Sequence, residues 1–125
     1  MSRQTITETE YEVMKILWSS SKPLTVGELY KMLPENKWSK TTVATLLVRL
    51  CDKGAAAYKK EGARHCYYPV LDKNDYTVNE TKSFVSRLFE GSVKNLIASL
   101  YDSRSLTEQD IDDLRKLLEK DKYHV

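Results

Sequence analysis

The chain has 125 residues, of which 41% are hydrophobic and 30% are charged, so it can build a core for one ordinary domain or two very small ones. Hydrophobic residues are spread along the whole length of the chain. No apolar run approaches the ~18 residues needed to span a bilayer, and the first residues lack the apolar stretch of a secretory signal. We therefore expect neither disorder, membrane insertion nor secretion, and the low cysteine content favours a reducing cytoplasm.

The net charge is only +2, but basic residues are concentrated in one segment. Residues 37–64 contain seven basic and two acidic side chains, whereas residues 73–125 contain nine basic and ten acidic ones. A basic segment is often no more than a solvated surface, so a motif must accompany it before a nucleic-acid partner is inferred.

Four helix starts share one local pattern, in which an apolar residue precedes a capping Ser or Thr and a second apolar residue follows four positions after the cap. The predicted caps are Thr7, Thr25, Ser39 and Thr107. Glu10 and Glu28 complete capping boxes for the first two. In chain order, the predicted helices of the first half run from about Thr7 to Ser19, from about Val26 to Leu33, and from Ser39 to near Gly54.

The hydrophobic period then changes to that of strands. Ala55 to Lys60 and His65 to Leu71 flank residues 61–64, which predicts a β-hairpin with glycine in the turn. Helical spacing returns in three segments, namely Tyr76 to Phe89, Val93 to Tyr101, and a last one containing the stripe from Ile111 to Leu118.

This order predicts a mainly α fold with a small β-hairpin: a winged helix-turn-helix domain over residues 1–72 and a three-helix domain over residues 73–125. The second domain is too small to bury its apolar stripes alone, which favours dimerisation with another copy. Its candidate dimerisation residues are Phe84, Leu88, Phe89, Val93, Leu96, Ile97, Leu100, Leu114, Leu117 and Leu118.

The third helix has two faces of different chemistry. Val43, Leu46, Leu47 and Leu50 share the face expected to be buried, and the opposite face carries small Thr and Ala side chains edged by cations. Small side chains allow close approach to base edges, and cations reach phosphates. The candidate DNA contacts, including those of the hairpin tip, are Ser39, Lys40, Thr41, Thr42, Ala44, Thr45, Val48, Arg49, Lys53, Lys59, Lys60 and Arg64. The alternatives are a plain solvated helix and a hairpin tip whose charges serve solubility.

Other reactive residues form no recognisable site. His65 and Cys66 are adjacent, and a strand sends neighbours to opposite faces, so we expect no metal site there. Cys51 is interpreted as a small, partly buried residue, with a redox sensor as the alternative. Asp110, Asp112 and Asp113 suit the start of the last helix. We find no catalytic triad, phosphate loop or paired carboxylates, and therefore expect neither an enzyme nor a cofactor.

Several stretches resemble, in their order and spacing, the penicillinase-repressor (BlaI/MecI/CopY) family over about Thr7 to Leu118. They are residues 12–18 (Glu-Val-Met-Lys-Ile-Leu-Trp), residues 38–43 (Trp-Ser-Lys-Thr-Thr-Val) with Leu46 to Leu50, Lys53-Gly54, Tyr67-Tyr68-Pro69, and Phe84 to Gly91. The resemblance implies a homodimeric bacterial repressor that binds a palindromic operator in duplex DNA and is removed by an inducing signal. In the drug-resistance branch, a membrane sensor-protease system triggers cleavage of the repressor.

The chain departs from the family pattern in three places. Thr41 and Ala44 stand where the resistance repressors carry Lys and Arg, which implies different operator bases. Ser99-Leu100 stands where they carry the scissile Asn-Phe bond and is the candidate cleavage site for a sensor protease. The tail after Leu118 lacks the cysteine cluster of the copper branch. The alternative function is a winged-helix protein-protein adaptor, although adaptors tend to expose acidic or large apolar residues on the third helix.

Overall fold

The computed structural model describes residues 5–121, and within that range it contains six helices and one two-stranded antiparallel sheet. In chain order the elements are α1 (Glu8–Ser19), α2 (Val26–Lys31), α3 (Lys40–Asp52), β1 (Ala56–Glu61), β2 (Arg64–Pro69), α4 (Lys73–Phe89), α5 (Val93–Asp102) and α6 (Glu108–Asp121). The predicted mainly α fold with a small hairpin is confirmed. None of the helices in this part of the chain is both long and apolar enough to cross a membrane.

The four predicted helix caps are confirmed. Each capping hydroxyl accepts a hydrogen bond from the backbone N–H three residues later, at Thr7, Thr25, Ser39 and Thr107. At the last cap the bonding is reciprocal, because the Thr107 N–H donates to Asp110 Oδ2 at 3.0 Å. Asp110 was predicted only to favour the dipole at the start of this helix. Local hydrogen bonding therefore fixes where these helices begin.

Several element boundaries differ from the prediction by one to three residues. β1 ends at Glu61 rather than Lys60, and β2 covers Arg64–Pro69 rather than His65 to Leu71. The connection between α2 and α3 spans residues 32–39, because α2 ends at Lys31, two residues before the predicted Leu33. β1 begins after Ala55, whose N–H instead donates to Leu50 O at 2.9 Å and closes α3. α4 begins at Lys73 rather than Tyr76, because the carboxylate of Asp72 accepts the N–H of Asp75 at 3.0 Å.

The core of the first part of the chain lies where α1, α2, α3 and the hairpin meet. Its most buried side chains are Val13, Met14, Leu17, Leu29, Val43, Leu47 and Leu50, each at most 1% exposed. Leu24 exchanges two backbone hydrogen bonds with Tyr67, of 2.8 and 2.7 Å, and so forms an isolated antiparallel bridge beside β2. This packing uses the apolar face of α3 and leaves its opposite face open to solvent.

The chain divides into two compact units, and the boundary falls between Tyr76 and Thr77, inside α4 and a few residues beyond the predicted one. In the first unit, the ring of Tyr76 lies 5.8 Å from that of Tyr11 and 6.0 Å from that of Trp18. The indole N–H of Trp18 also donates to Leu71 O at 2.8 Å. The segment that follows the hairpin is thereby held against α1.

The second unit buries little of its apolar surface. Val85 is 6% exposed, whereas Leu88, Val93 and Leu118 are 58%, 61% and 67% exposed. Among the residues of α5, none is buried. Much of the apolar surface of these helices is therefore left exposed by their own unit.

Candidate nucleic-acid interface

The outer face of α3 presents small side chains to solvent. Thr41, Thr42, Thr45 and Val48 are exposed there, and Ala44 is half-buried among them. A helix with such short side chains can approach a base edge closely. The structure thus brings together the predicted base-contacting residues on one continuous surface.

The hydroxyl groups of Thr42 and Thr45 already take part in local hydrogen bonds. The hydroxyl of Thr45 donates to Thr41 O at 3.1 Å, and the hydroxyls of Thr42 and Ser39 lie 3.0 Å apart. The Thr45 oxygen keeps its capacity to accept a hydrogen bond, and its methyl group remains available for apolar contact.

The predicted cations near α3 fall into two groups. Lys40 and Arg49 are exposed at the edges of the outer face. Lys53 instead lies 2.6 Å from Glu10 Oε1, in an ion pair whose side chains are 19% and 1% exposed, and it also donates to Thr5 O at 2.7 Å. Lys53 is therefore set apart from the surface predicted to contact DNA, because a buried carboxylate holds its ammonium group.

The Glu10 carboxylate is stabilised in its charged form. Burial by itself raises the pKa of this carboxyl group. The effect is outweighed by hydrogen bonds from Lys53 and from the Thr7 backbone and by the positive charge of Lys53, so the pKa is lowered overall. The Thr7 N–H donates to the same oxygen at 3.0 Å. The start of α1 and the end of α3 thus share one carboxylate.

The cations of the hairpin lie on both of its faces. In the observed register Lys60 pairs with His65 and Lys59 with Cys66, and side chains alternate along a strand. Lys60 therefore shares a face with His65, whereas Lys59 and Arg64 lie on the other face. A two-residue loop joins the strands, and its first position, Gly62, has a φ of 66°, which glycine adopts without strain.

An aromatic pair beside Lys60 was not among the predicted site residues. The rings of Tyr58 and His65 stack with their centroids 4.2 Å apart. The spacing of Tyr58 and Lys60, two residues apart on one strand, was the signal that places them on a common face.

The reactive residues outside this surface form no metal-binding group in the described part of the chain. Cys66 is buried and the adjacent His65 is half-buried, and the two side chains lie on opposite faces of the hairpin. Cys51 is half-buried. Burial raises the pKa of its thiol, and the negative charge of Asp52 raises it further. A raised pKa disfavours the reactive thiolate.

The predicted dimerisation residues all lie in the second unit, and none of them is fully buried there. Phe84, Leu88, Val93, Leu117 and Leu118 are exposed. Phe89, Leu96, Ile97, Leu100 and Leu114 are half-buried. The predicted cleavage bond joins the exposed Ser99 to Leu100 inside α5.

A family model described as the penicillinase repressor matches residues 6–120 of the chain. The chain belongs to the penicillinase-repressor family. Members of this family are transcriptional repressors.

Curated relatives of this penicillinase-repressor family chain are similar to it over nearly their whole length. The penicillinase repressor of Bacillus licheniformis is 32% identical over 117 residues, covering 94% of this chain and 91% of that protein. The methicillin resistance regulatory protein MecI of Mammaliicoccus sciuri is 27% identical over 115 residues, covering 92% and 94%.

Solved structures resemble the first unit of the family member described here. The DNA-binding domain of the repressor BlaI is 38% identical with a TM-score of 0.52, covering 60% of this chain and 92% of that one. The monomeric form of Bacillus licheniformis BlaI in complex with the blaP half-operator is also 38% identical, with a TM-score of 0.50 and the same coverage. The winged-helix fold of the first unit follows from these likenesses.

Proposed function

We propose that this protein is a homodimeric transcriptional repressor that binds a palindromic operator in duplex DNA and acts in the cytoplasm. The observation that carries the proposal is the exposed outer face of α3, with small side chains at its centre and Lys40 and Arg49 at its edges. The likeness to BlaI, which was solved in complex with a half-operator, supports a DNA-binding role for this face.

The two kinds of side chain on this surface have different roles in the proposal. Those that read bases in the major groove are Thr41, Ala44, Thr45 and Val48. Those that hold phosphates are Ser39, Lys40, Thr42 and Arg49 around α3 and Lys59, Lys60 and Arg64 on the hairpin. Lys53 is left out because its ammonium group is paired with Glu10.

The second unit supplies the dimer contact in this proposal. Leu88, Val93 and Leu118 are each more than half exposed in the single chain, and a second copy would remove them from water. A dimer with a two-fold axis presents two copies of α3 related by the same axis. The operator is therefore expected to be a palindrome with one half-site for each copy.

Selection from random duplexes tests the proposal directly. We expect the full-length protein to enrich a palindromic sequence, with an affinity that falls by orders of magnitude between roughly 50 and 200 mM salt if ~6–10 phosphates are contacted. A protein-protein adaptor would enrich no palindrome and would show no steep dependence on salt. Either result would contradict the repressor proposal.

Release from the operator by an inducing signal completes the proposal. The candidate mechanism is cleavage by a sensor protease at Ser99-Leu100, and the alternative is a directly bound ligand. The bond lies within α5, so a protease requires local unwinding of the helix before it can cut. Cleavage would separate most of α5 from α6 and remove apolar side chains from the dimer contact.

A further inference from the structure

An aromatic cluster formed by Tyr11, Trp18 and Tyr76 holds the first turn of α4 against α1. The ring of Tyr76 lies 5.8 Å from that of Tyr11 and 6.0 Å from that of Trp18, and the Tyr11 and Trp18 rings lie 5.9 Å apart. Tyr76 is 9% exposed and belongs to the core of the first unit. α4 therefore begins as a part of the unit that carries α3.

Hydrogen bonds join the end of α3 to the segment that leads into α4. Ala55 donates its N–H to Leu50 O at 2.9 Å. Its carbonyl oxygen accepts the N–H groups of Val70 and Leu71 at 2.9 and 3.0 Å. Leu71 O in turn accepts the indole N–H of Trp18 at 2.8 Å. Both backbone groups of Leu71 are thus bonded, and the direction in which α4 starts is tied to the position of α3.

α4 continues from this start as one helix over Lys73–Phe89, and it contains neither glycine nor proline. Sharp kinks in helices mostly occur at proline, at glycine or at an inserted residue, so the direction of the first turn is kept along α4. At ~1.5 Å per residue, α4 extends about 20 Å beyond Tyr76. A tilt of about 10° at its first turn therefore moves its far end by about 3.5 Å, which is close to the ~3.4 Å rise of one base pair.

We propose that Tyr11, Trp18 and Tyr76 determine which separation of operator half-sites the dimer accepts. This inference rests on the proposed repressor function and deepens it. All residues of the proposed dimer contact follow the start of α4 in the chain, so the separation of the two α3 helices depends on the direction given to α4. A firmly held start favours one separation, and the half-sites must be spaced to match it. The three aromatic side chains are positioning residues, because they act through α4 and contact no DNA in this proposal.

The test measures binding to duplexes that differ only in the separation of their half-sites. The probes are the palindrome recovered by selection from random sequences, the same palindrome with a few base pairs added or removed at its centre, and a single half-site. Tyr76→Ala removes the central ring, and Tyr76→Phe is the matched control because it keeps a ring against Tyr11 and Trp18. Trp18→Phe keeps an aromatic ring but removes the N–H group that Leu71 O accepts.

We expect the wild type to bind the respaced palindromes about tenfold more weakly than the original or weaker still, because the dimer then engages only one half-site at a time. Tyr76→Ala should reduce this difference to about threefold or less, since a loosened α4 fits several separations. Trp18→Phe should have a smaller effect in the same direction, and Tyr76→Phe should match the wild type.

Affinity for the single half-site should stay unchanged in all these variants, because none of the altered side chains belongs to the proposed DNA surface. Thermal unfolding and sedimentation equilibrium check that each variant is folded and dimeric. Where Tyr76→Ala fails to fold, Trp18→Phe decides by the same comparison of separations.

An undiminished difference in Tyr76→Ala, or equal binding of the wild type at every separation, would overturn the inference and leave the repressor proposal standing. An equal loss of affinity for the half-site and for the palindrome in Tyr76→Ala would also overturn it, because the ring would then serve only the stability of the first unit. If the wild type enriches no palindrome, the repressor proposal fails and the role of the aromatic cluster fails with it.

Discussion

Glu10 shows how one buried side chain serves two helices. It accepts the N–H of Thr7 at the start of α1 and the ammonium group of Lys53 just after the end of α3. Because the carboxylate is only 1% exposed, it depends on these partners to stay charged. The position of α3 is therefore linked to the first turn of α1.

Lys53→Met should lower the free energy of unfolding of the first unit by about 2 kcal/mol, because it leaves a buried carboxylate without its cation. Thermal unfolding followed by tryptophan fluorescence measures this unit, since Trp18 and Trp38 both belong to it. The control is Lys15→Met, which breaks an exposed ion pair with Glu12 and should cost less than about 0.5 kcal/mol. Equal effects of the two variants would contradict the special role of Lys53.

The same pair predicts the direction of a pH effect. The folded state lowers the pKa of Glu10, so the pair's contribution to stability is present above the ordinary carboxyl pKa and is lost as the pH falls through the lowered value. Between about pH 7 and about pH 3, the wild type should lose more stability than Lys53→Met. A larger loss in the variant would show the opposite sign.

Arg49 and Lys53 should differ in how they affect DNA binding. Arg49→Ala should weaken binding to all sequences and flatten the salt slope by about one, as a phosphate contact does, whereas Lys53→Met should leave the slope unchanged. Thr45→Ala should instead change the preferred bases. Salt titrations on selected and random duplexes distinguish the three variants, and a flattened slope for Lys53→Met would return that residue to the interface.

At the scale of elements, α3 and the helices of the second unit differ in what covers them. The apolar stripe of α3 is fully used by its own unit, with Val43, Leu47 and Leu50 completely buried. The stripe of α6 keeps Leu117 and Leu118 more than 60% exposed. Helices of similar amphipathic pattern are therefore covered to different extents by their own units, and the sequence pattern alone does not reveal this difference.

Leu118→Asp should convert the dimer to a monomer at micromolar concentration and leave the fold of the single chain unchanged. The side chain is 67% exposed in that chain, so a carboxylate there is tolerated unless a second copy covers it. Arg115→Asp is the matched control, because it places the same charge at another exposed position of α6. Sedimentation equilibrium measures the effect, and a dimer that survives Leu118→Asp would exclude α6 from the contact.

The start of α4 should be required for the stability of the winged-helix unit. A chain that ends at Asp72 loses the Tyr76 ring that packs on Tyr11 and Trp18 and should be less stable by roughly 1–2 kcal/mol than a chain that ends at Glu80. Urea unfolding of the two fragments measures the difference. Equal midpoints would show that Tyr76 contributes nothing to this unit.

At the scale of the whole molecule, the chain ending at Glu80 should bind a single half-site about as well as the full protein does but should lose the gain from a palindrome. Joining two half-site contacts in one dimer raises the effective concentration of the second contact. The overall affinity of linked sites can rise by about 10²–10⁴-fold as a result. Titration of half-site and palindromic duplexes with both chains measures this gain. An undiminished preference of the fragment for the palindrome would contradict dimerisation through the second unit.

Induction by cleavage predicts two fragments that meet at Ser99-Leu100 in induced cells. Because leucines of α5 and α6 would then be divided between separate pieces, and each buried leucine contributes roughly 2 kcal/mol, the dimer should dissociate. Mass spectrometry of the intact protein follows this over time. An uncleaved species that persists while the regulated genes are expressed would exclude cleavage and favour a bound ligand.

The sequence by itself determined the four capped helix starts, the presence of the hairpin and the two-faced character of α3. Helix caps such as Thr7 and Ser39 bond to residues within four positions. Apolar stripes such as that from Val43 to Leu50 repeat within one helix, so both features can be predicted from the local sequence. It missed the start of α4, because Asp72 caps that helix without the apolar pattern of the other starts.

Only the tertiary structure decided which cations remain free and which rings are exposed. Lys53 lies 43 positions from Glu10 in sequence, so its removal from the predicted DNA surface depends on α1 packing against the end of α3. Likewise, the stack of Tyr58 on His65 depends on the register of β1 and β2, which sets the partners across the hairpin. Contacts of this kind join distant segments, and a local pattern carries no information about them.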